Sequence, residues 1–257
     1  MMGTIAIPGS KLEIVCWSAL TVAENLALDD ALARAAWESG RRALRFWWGG
    51  PPAVVMGSSE KLDQVVDEAA CARLGLEVLK RSTGGGSVLQ TPGVLNYSFV
   101  TPAPTHLNVK AAFRLGTDLI CAILDGFGLT GTQEGTSDVA VGGRKISGNA
   151  QAWRRKALLV HGTLLVHFDY DLAETVLRHP AREPAYRRRR AHRDFLVTLR
   201  ELGVNADYAA IERVALAAAR EVFELGEAYE TSCVGVGFYG TSTGTSAPPA
   251  SSAVVIG

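Results

Sequence analysis

Three consecutive glycines, Gly84, Gly85 and Gly86, stand between the strand-like segment 76–80 and a second strand-like segment. In the simplest interpretation the run is a turn that needs positive φ at one or two positions. In the alternative interpretation the missing side chains let the backbone approach a flat or extended ligand. The spacing matches neither the phosphate-binding loop that ends in Gly-Lys-Ser/Thr nor the dinucleotide-binding fingerprint. Both interpretations require strands on either side of the glycines.

Strand-like and helix-like segments are interspersed along the chain, which predicts an α+β fold. We expect a mixed, largely antiparallel sheet with flanking helices on one side. Thr21 and Glu24 have capping-box spacing, so a helix should begin there and end at Gly40. We expect one domain over residues 1–230, and a flexible tail over 231–257, which is rich in Gly, Ser, Thr and Pro. The other predicted helices span 62–74, 108–128, 169–178, 187–201 and 207–225.

Charge and cysteine content exclude several classes of function. The 26 basic and 26 acidic residues balance, so we expect no nucleic-acid partner. The N-terminus lacks a basic and then apolar leader, and no run of 18 apolar residues occurs, so we expect neither secretion nor a membrane span. The four cysteines, Cys16, Cys71, Cys121 and Cys233, form no Cys-x-x-Cys pair. A zinc site is therefore not indicated, and a reducing, cytoplasmic location fits best.

A second glycine-bracketed element contains Lys145, which lies between Gly142-Gly143 and Gly148. A lysine in such a segment is commonly a solvated strand residue. Arg81, beside the first glycine run, supplies a planar set of donors suited to a carboxylate or a phosphate. Taken together, the two elements are able to hold an anion between them.

Three segments, "KRSTGGGSVLQTPGVLNYSFV", "SDVAVGGRKISGNAQ" and "HGTLLVHFD", occur in that order. They resemble the three hallmark blocks of the lipoate-protein ligase and octanoyltransferase catalytic domain, which is itself similar to the biotin-protein ligase core. The upstream "AENLALDDAL" and "VVMG" extend the resemblance over about residues 12–200. The resemblance implies a biotin/lipoate protein ligase catalytic-domain fold for residues 1–230, with no separate C-terminal accessory domain.

The resemblance also implies roles for individual residues. Lys145 would hydrogen-bond the acyl carbonyl and stabilise the negative charge that develops there. Asp138 would help to hold Mg²⁺ against nucleotide phosphates. His161 is equally well interpreted as a structural histidine. The remaining acyl- and adenylate-binding residues would be Arg81, Ser82, Thr83, Gly84, Gly85, Gly86, Ser147, Gly148, His161, Gly162 and Thr163.

The function that the resemblance implies is ATP-dependent ligation. Lipoate or octanoate would be activated to an acyl-adenylate and passed to a lysine of a lipoyl carrier domain or a glycine-cleavage H-type protein, with no tightly bound prosthetic group. The first alternative is an octanoyl- or lipoyl-transferase that takes the chain from a thioester and needs a cysteine nucleophile. The segment before Lys145 contains no cysteine, and Cys121 lies in a predicted helix. The second alternative is a non-catalytic acyl- or carrier-binding homologue.

Two segments depart from the family pattern. Gln90 and Thr91 stand where many relatives have His-Asp, and Ser58, Ser59, Glu60 and Lys61 stand where ligases often show Arg-x-Gln-Asn. Many bacterial ligases have a further C-terminal domain, so a separate accessory protein is implied. Because carrier domains of this kind are commonly acidic, we expect the basic run 187–190 to form a solvated face that steers carrier docking.

Overall fold

The computed structural model describes residues 12–105, 107–154, 156–180, 182–223 and 231–233. These residues form two β-sheets and several α-helices. The helices are α1 Val22–Ser39, α2 Leu62–Val65, α3 Glu68–Leu74, α4 Val109–Asp125, α5 Tyr170–Val176, α6 His192–Phe195 and α7 Tyr208–Val222. The strands are β1 Leu12–Cys16, β2 Arg42–Trp48, β3 Ala53–Met56, β4 Glu77–Lys80, β5 Val88–Gln90, β6 Val94–Pro102, β7 Thr132–Glu134, β8 Asp138–Val141, β9 Arg144–Arg154, β10 Ala157–Leu165 and β11 Thr231–Cys233.

The larger sheet has eight strands in the order β11-β1-β2-β6-β10-β9-β8-β7. Strand β1 is parallel to β2 and β11, and each remaining neighbouring pair is antiparallel. The smaller sheet has the order β4-β3-β5, with β3 parallel to β4 and antiparallel to β5. The predicted α+β fold with a mixed, largely antiparallel sheet is therefore confirmed.

Helices cover both faces of the larger sheet, so the expectation that they lie on one side is wrong. Helices α4 and α7 share a core with Leu44 and Phe99, whereas α1 packs on Ala43 and Val100, which point the opposite way. The physical reason is visible in β6, whose first eight residues are all buried. Adjacent strand residues point to opposite faces, so a strand whose successive residues are all buried needs a cover on each face.

The helix-capping predictions agree with the structure at α1. The Thr21 side chain accepts a hydrogen bond from Glu24 N, and the Glu24 side chain accepts one from Thr21 N. Gly40 ends the helix with a φ of 73°. Local capping chemistry thus fixes both ends of α1.

Two predicted helices differ from the structure. The predicted helix 62–74 is broken into α2 and α3, because Val66 forms a β-bridge with Leu177 between them. The predicted helix 187–201 is reduced to α6. Arg188 and Arg189 adopt φ values of 52° and 57°. Left-handed backbone cannot continue a right-handed helix, so the chain turns there.

Strand β11 lies at the start of the segment that we predicted to be a flexible tail, and it pairs with β1. The rest of that predicted tail, 234–257, lies outside the described residues. Within the described ranges, none of the helices has the length and apolar character that a membrane crossing requires.

A buried ion pair joins α1 to β2 beneath the core. Arg45 Nη1 lies 2.8 Å from Asp29 Oδ1, and both side chains are at most 3% exposed. Arg45 also donates to the carbonyl oxygens of Trp17 and Asn25, and Ser98 Oγ donates to Asp29 Oδ2. Burial raises the pKa of Asp29 and lowers that of Arg45, while the partner charge acts against both shifts. Each charge therefore depends on the other for compensation.

We predict that Arg45→Gln lowers the free energy of unfolding by about 3–5 kcal/mol, because it leaves the Asp29 carboxylate buried without its partner. Arg41→Gln is the matched control, since Arg41 pairs with Glu13 at the surface with side-chain exposures of 55% and 44%. That control should cost less than about 1 kcal/mol. Urea unfolding of both variants measures the difference, and losses of equal size would contradict the assignment.

Candidate active site

A cavity of about 400 Å³ lies between the two sheets, with lining residues from both. One part of its lining is apolar and includes Leu26, Trp47, Val55, Leu165 and Phe168. Another part is polar and comes from β8, β9 and the segment 182–187. Cavities of this size, with an apolar lining and a few convergent polar groups, bind small molecules. The lining suits a ligand with an apolar chain and an anionic end.

Arg81 organises the glycine loop from within. Its Nη2 atom donates to the carbonyl oxygens of Gly84 (2.6 Å) and Gly86 (2.9 Å). Its Nη1 atom donates to Val55 O, and its Nε atom donates to Thr83 Oγ1. Burial lowers the pKa of Arg81 to about 10, so the guanidinium stays charged at neutral pH. Arg81 lines the cavity, but its hydrogen bonds are made to the glycine loop and to Val55, so they hold the loop in its conformation.

Gly57 and Glu60 hold the same loop from the other side. A Cβ atom at Gly57 would lie 1.9 Å from Gly85 O, so only glycine permits this approach of the two backbones. Glu60 Oε2 accepts hydrogen bonds from Gly57 N (2.9 Å) and Ser87 Oγ (2.7 Å). Glu60 therefore clamps the loop at the position where ligases often carry another motif.

His161 connects the glycine loop to the larger sheet. Its Nε2 atom lies 2.6 Å from Thr83 Oγ1. Because that hydroxyl already accepts from Arg81 Nε, its proton is available for donation to a neutral imidazole. Burial and then the charge of Arg81 lower the pKa of His161 to about 3. His161 is thus a neutral residue that joins two elements of the site.

Lys145 lines the cavity and contributes an ammonium group to it. Its Nζ atom lies 2.8 Å from Asp138 Oδ1, and Tyr186 Oη donates to Asp138 Oδ2 at 2.8 Å. The register between β8 and β9 shifts at Val139/Ala140, and such bulges redirect side chains. A Cβ atom at Gly148 would lie 2.7 Å from Lys145 Nζ, so the lysine lies across the bare backbone of this glycine. The motif thereby gives the ammonium a fixed position.

The structure brings most of the predicted site residues together. Ser82, Thr83 and Gly84 do not line the cavity: Thr83 is buried, and the carbonyl oxygen of Ser82 accepts from Arg154. Their roles, like those of the residues that do line it, remain predictions. The predicted residues that line the cavity are Arg81, Gly85, Gly86, Asp138, Lys145, Ser147, Gly148, His161, Gly162 and Thr163.

Gln90 occupies the position where many relatives have histidine. It lines the cavity, yet its amide exchanges two hydrogen bonds with Asn96, Gln90 Nε2 to Asn96 Oδ1 at 2.7 Å and Asn96 Nδ2 to Gln90 Oε1 at 3.2 Å. The two amides satisfy each other, so the departure at residue 90 leaves no unpaired amide group in the wall.

The basic run 187–190 is not the solvated face that we predicted. Arg187 is 6% exposed and lines the cavity. Arg190 Nη2 donates to the carbonyl oxygens of Gly143 and Tyr186, which fastens the run to the β8–β9 turn. Only Arg188 and Arg189 of the four are exposed. Positive φ values at these two residues turn their neighbours inward, and no charge count could reveal this.

Sequence reasoning missed Glu60, Tyr186 and Arg187. Glu60 lies in a segment that we noted only as a departure, and the other two lie in the basic run. A tyrosine next to four arginines was the one available signal, because an aromatic residue in a solvated run is unexpected.

Cysteine does not line the cavity within the described part of the chain. Cys16, Cys71 and Cys121 are buried, and neither Cys71 nor Cys121 forms a disulfide bond. Burial, followed by nearby acidic groups, raises the pKa of Cys121 to about 11, so its thiol is protonated at neutral pH.

Sequence comparison gives related proteins of two kinds. The profile described as "Lipoyl protein ligase A/B catalytic domain" matches residues 21–220. A lipoate-protein ligase A-type protein of Aeropyrum pernix is 35% identical over 145 residues, 56% of this chain and 54% of that protein, so the alignment spans about half of this relative. Octanoyltransferase LipM of Carboxydothermus hydrogenoformans is 31% identical over 241 residues, 82% of this chain and 84% of that protein.

Structure comparison gives the same fold. A bi-partite lipoate protein ligase of Thermoplasma acidophilum, described with its E2 lipoyl domain, has a TM-score of 0.75 at 22% identity, covering 87% of each chain. A lipoate-protein ligase A bound with ATP has a TM-score of 0.74 at 22% identity, covering 89% of this chain and 90% of that one.

We predict that Gly57→Ala lowers the free energy of unfolding by about 1–3 kcal/mol, because its methyl group collides with the Gly85 carbonyl and displaces the loop. Gly84→Ala is the matched control, since a Cβ atom there meets no atom within 4 Å. Urea unfolding compares the two variants. A wild-type value for Gly57→Ala, or an equal loss for Gly84→Ala, would show that the close approach does not matter.

We predict that His161 makes stability depend on pH. Its pKa is about 3 in the folded protein and about 6.5 in the unfolded chain, so its contribution is fully present above pH 6.5. The contribution is lost as the pH falls from 6.5 towards 3, because only the unfolded chain takes up the proton. Urea unfolding between pH 8 and pH 4 should therefore show a smaller loss for His161→Gln than for the wild type. Parallel curves would contradict the prediction.

Proposed function

Because the chain belongs to the lipoyl protein ligase A/B catalytic-domain family, we propose that it activates lipoate or octanoate with ATP and ligates the acyl group to a lysine of a carrier domain. The observation that carries the proposal is the ammonium of Lys145, fixed by Asp138 in the polar part of a cavity whose other part is apolar. An apolar chain fills such a cavity, and its carboxylate then meets the ammonium.

The proposed reaction has two steps. First, the acid's carboxylate oxygen attacks the α-phosphate of ATP, and pyrophosphate leaves. Second, the amine of the carrier lysine attacks the carbonyl carbon of the acyl-adenylate, AMP leaves, and the amine gives up a proton. In both steps negative charge develops beside the reacting carbon or phosphorus. A preorganised cation at that point lowers the barrier.

Lys145 serves as that cation in the proposal. The Asp138 carboxylate holds its Nζ atom, and the Tyr186 hydroxyl orients Asp138. Burial and the Asp138 charge raise the pKa of Tyr186 above its usual range, so this hydroxyl stays a donor. The ammonium therefore needs little reorganisation when charge develops.

The glycine loop would hold the acyl and adenylate groups against the backbone. Its carbonyl oxygens at Gly84 and Gly86 are already bonded to Arg81, so its shape exists before any ligand arrives. The neutral imidazole of His161 supports the loop through Thr83 and supplies no charge. These residues bind and orient in the proposal, and Lys145 stabilises the charge that develops at the reacting centre.

Mg²⁺ fits this site as an ion that arrives with the nucleotide. No cluster of three metal-ligating side chains occurs among the residues that the structure describes. Asp138 and Glu134 both line the cavity, although Asp138 already bonds Lys145 and Tyr186. Mg²⁺ in such sites is commonly held by one or two carboxylates plus phosphates, and it would neutralise phosphate charge here.

Transfer from a thioester is the second candidate function, favoured by the LipM relative. An acyl-enzyme route needs a reactive thiolate in the cavity. The cavity lining in the described residues has none, and Cys121 is protonated at neutral pH. This chemistry supports the ligase proposal. A non-catalytic acyl- or carrier-binding role would not require the fixed Lys145 ammonium.

The proposed partners follow from the relatives. The Thermoplasma ligase is described with its E2 lipoyl domain, which supports a lipoyl carrier as acceptor, and a relative named octanoyl-[GcvH]:protein N-octanoyltransferase supports a glycine-cleavage H-type protein. The same ligase is bi-partite, which supports a separate accessory protein for this chain. The free thiols of Cys71 and Cys121 suit a reducing, cytoplasmic location.

The test incubates purified protein with ATP, Mg²⁺, lipoate or octanoate and an apo carrier domain, and weighs the carrier by mass spectrometry. A parallel tube contains octanoyl thioester in place of the acid and ATP. We predict a mass gain with ATP and acid. Gain with the thioester alone would establish the transferase, and no gain in either tube would remove both enzymatic proposals.

We predict that Lys145→Ala lowers turnover about a hundredfold or more, because the developing charge loses its cation. Lys110→Ala is the control, since Lys110 is an exposed lysine in the first turn of α4 and should leave turnover unchanged. Circular dichroism verifies that both variants fold. Near-normal turnover of Lys145→Ala would assign this lysine to the solvated-strand interpretation.

A further inference from the structure

Arg187 is a buried cation whose hydrogen bonds are incomplete. It is 6% exposed, and its Nη2 atom is buried without a hydrogen-bond partner among the described residues. Its Nε atom donates to Arg190 O at 3.1 Å and lies 3.5 Å from Glu183 Oε2. The Arg187 Cζ atom lies over the Phe195 ring, 4.8 Å from the ring centroid. A buried guanidinium nitrogen with no acceptor is unfavourable unless a ligand supplies one.

The backbone holds Arg187 in this position. Arg188 and Arg189, the next two residues, both have left-handed backbone, which non-glycine residues avoid. Glu183 Oε1 accepts a hydrogen bond from Arg189 N, and Arg190 binds the carbonyl oxygen of Gly143. Strained backbone of this kind persists where surrounding contacts enforce it, often beside functional sites.

The location of Arg187 identifies the kind of ligand. Tyr186, the preceding residue, bonds Asp138, which bonds Lys145, so Arg187 stands next to the proposed reacting centre. Arg178 and Arg182 also line the cavity, which adds positive charge on this side. In the proposed function the carboxylate of the acid meets the Lys145 ammonium at the reacting centre. The anion left for Arg187 is a phosphate, whose oxygens match the guanidinium geometry.

We propose that Arg187 binds a phosphate group of the nucleotide through its Nη2 atom, a role that rests on the proposed function for the identity of the anion. The run that a charge count assigns to the surface thus contributes a ligand-binding residue to the cavity. Arg188, which is exposed, takes no part.

Isothermal titration of ATP, adenosine and octanoate into the purified protein tests the inference. Arg187→Met keeps an apolar contact with Phe195 and removes the charge, and Arg188→Met is the matched control. We expect Arg187→Met to raise the Kd for ATP at least tenfold, with the Kd values for adenosine and octanoate within twofold of the wild type. Arg188→Met should bind all three ligands as the wild type does.

Three results would overturn the inference. The first is an unchanged Kd for ATP in Arg187→Met. The second is a parallel loss of adenosine binding, which marks a collapsed cavity. The third is a wild-type protein that binds ATP no more tightly than adenosine. A selective loss of octanoate binding would instead assign the acid's carboxylate to Arg187.

Arg187→Lys decides the matter if Arg187→Met does not fold. It keeps the positive charge but has no Nη2 atom, so it should also weaken ATP binding selectively. The result is distinguishable from failure of the proposed function, because nucleotide binding requires no carrier and no acyl transfer. A protein that binds ATP through Arg187 but adds no mass to the carrier would refute the ligase alone.

Discussion

The cavity depends on the chain of contacts from Arg81 through Thr83 to His161. The Arg81 guanidinium fixes the glycine loop to β3 of the smaller sheet, and Thr83 connects the same loop to His161 on β10 of the larger sheet. One arginine therefore links the smaller sheet, the glycine loop and, through Thr83, the larger sheet beside the cavity. The arrangement requires a small residue at Gly57, where two backbones meet. The glycine run is a turn and also part of the cavity wall. Arg81 binds the carbonyl oxygens of Gly84 and Gly86, and the glycines present no side chains to the cavity.

The second constraint is the position of the Lys145 ammonium. A lysine side chain is flexible, and a flexible cation is a poor preorganised charge. Three features remove that freedom: the β-bulge redirects the side chain, Gly148 gives it a bare surface, and Asp138 fixes its end. The Lys-Ile-Ser-Gly spacing thus has a direct physical meaning, since the glycine three residues on is where the lysine lies. Asp138 therefore fixes the Lys145 ammonium, in addition to any contact that it makes with an ion bound to the nucleotide.

The sequence predicted correctly those structural features that depend on interactions between residues close together in the chain. The α1 caps, the α+β class and the two glycine-bracketed elements depend on residues close in sequence, and these agree with the structure. Long-range contacts decided the rest. The break between α2 and α3 needs the bridge from Val66 to Leu177, and the second helical layer follows from the burial of β6 on both faces. Residues 187–190 have the composition of a solvated helix, yet Arg190 and Glu183 hold them in a turn that composition cannot encode. Thus Glu60, Tyr186 and Arg187 were missed because distant partners, rather than a motif, bring them into the site.

At two of the departures from the family pattern, Gln90 and Glu60, the residue present makes a full set of interactions of its own. Gln90 and Asn96 form a closed amide pair, so the absent histidine leaves no unpaired amide group, whereas the hydroxyl of Thr91 beside it is buried without a hydrogen-bond partner among the described residues. Glu60 holds Gly57 and Ser87 with one carboxylate, so the loop stays anchored although the usual motif is absent. Two energetically costly features lie at the cavity, the left-handed backbone at Arg188 and Arg189 and the incompletely bonded Arg187, and such features cluster at functional sites. Arg187 lines the cavity in which the proposed reaction would join a carboxylate to a phosphate, and a reaction between two anions needs positive charge beside them. The position of these features therefore supports a catalytic site.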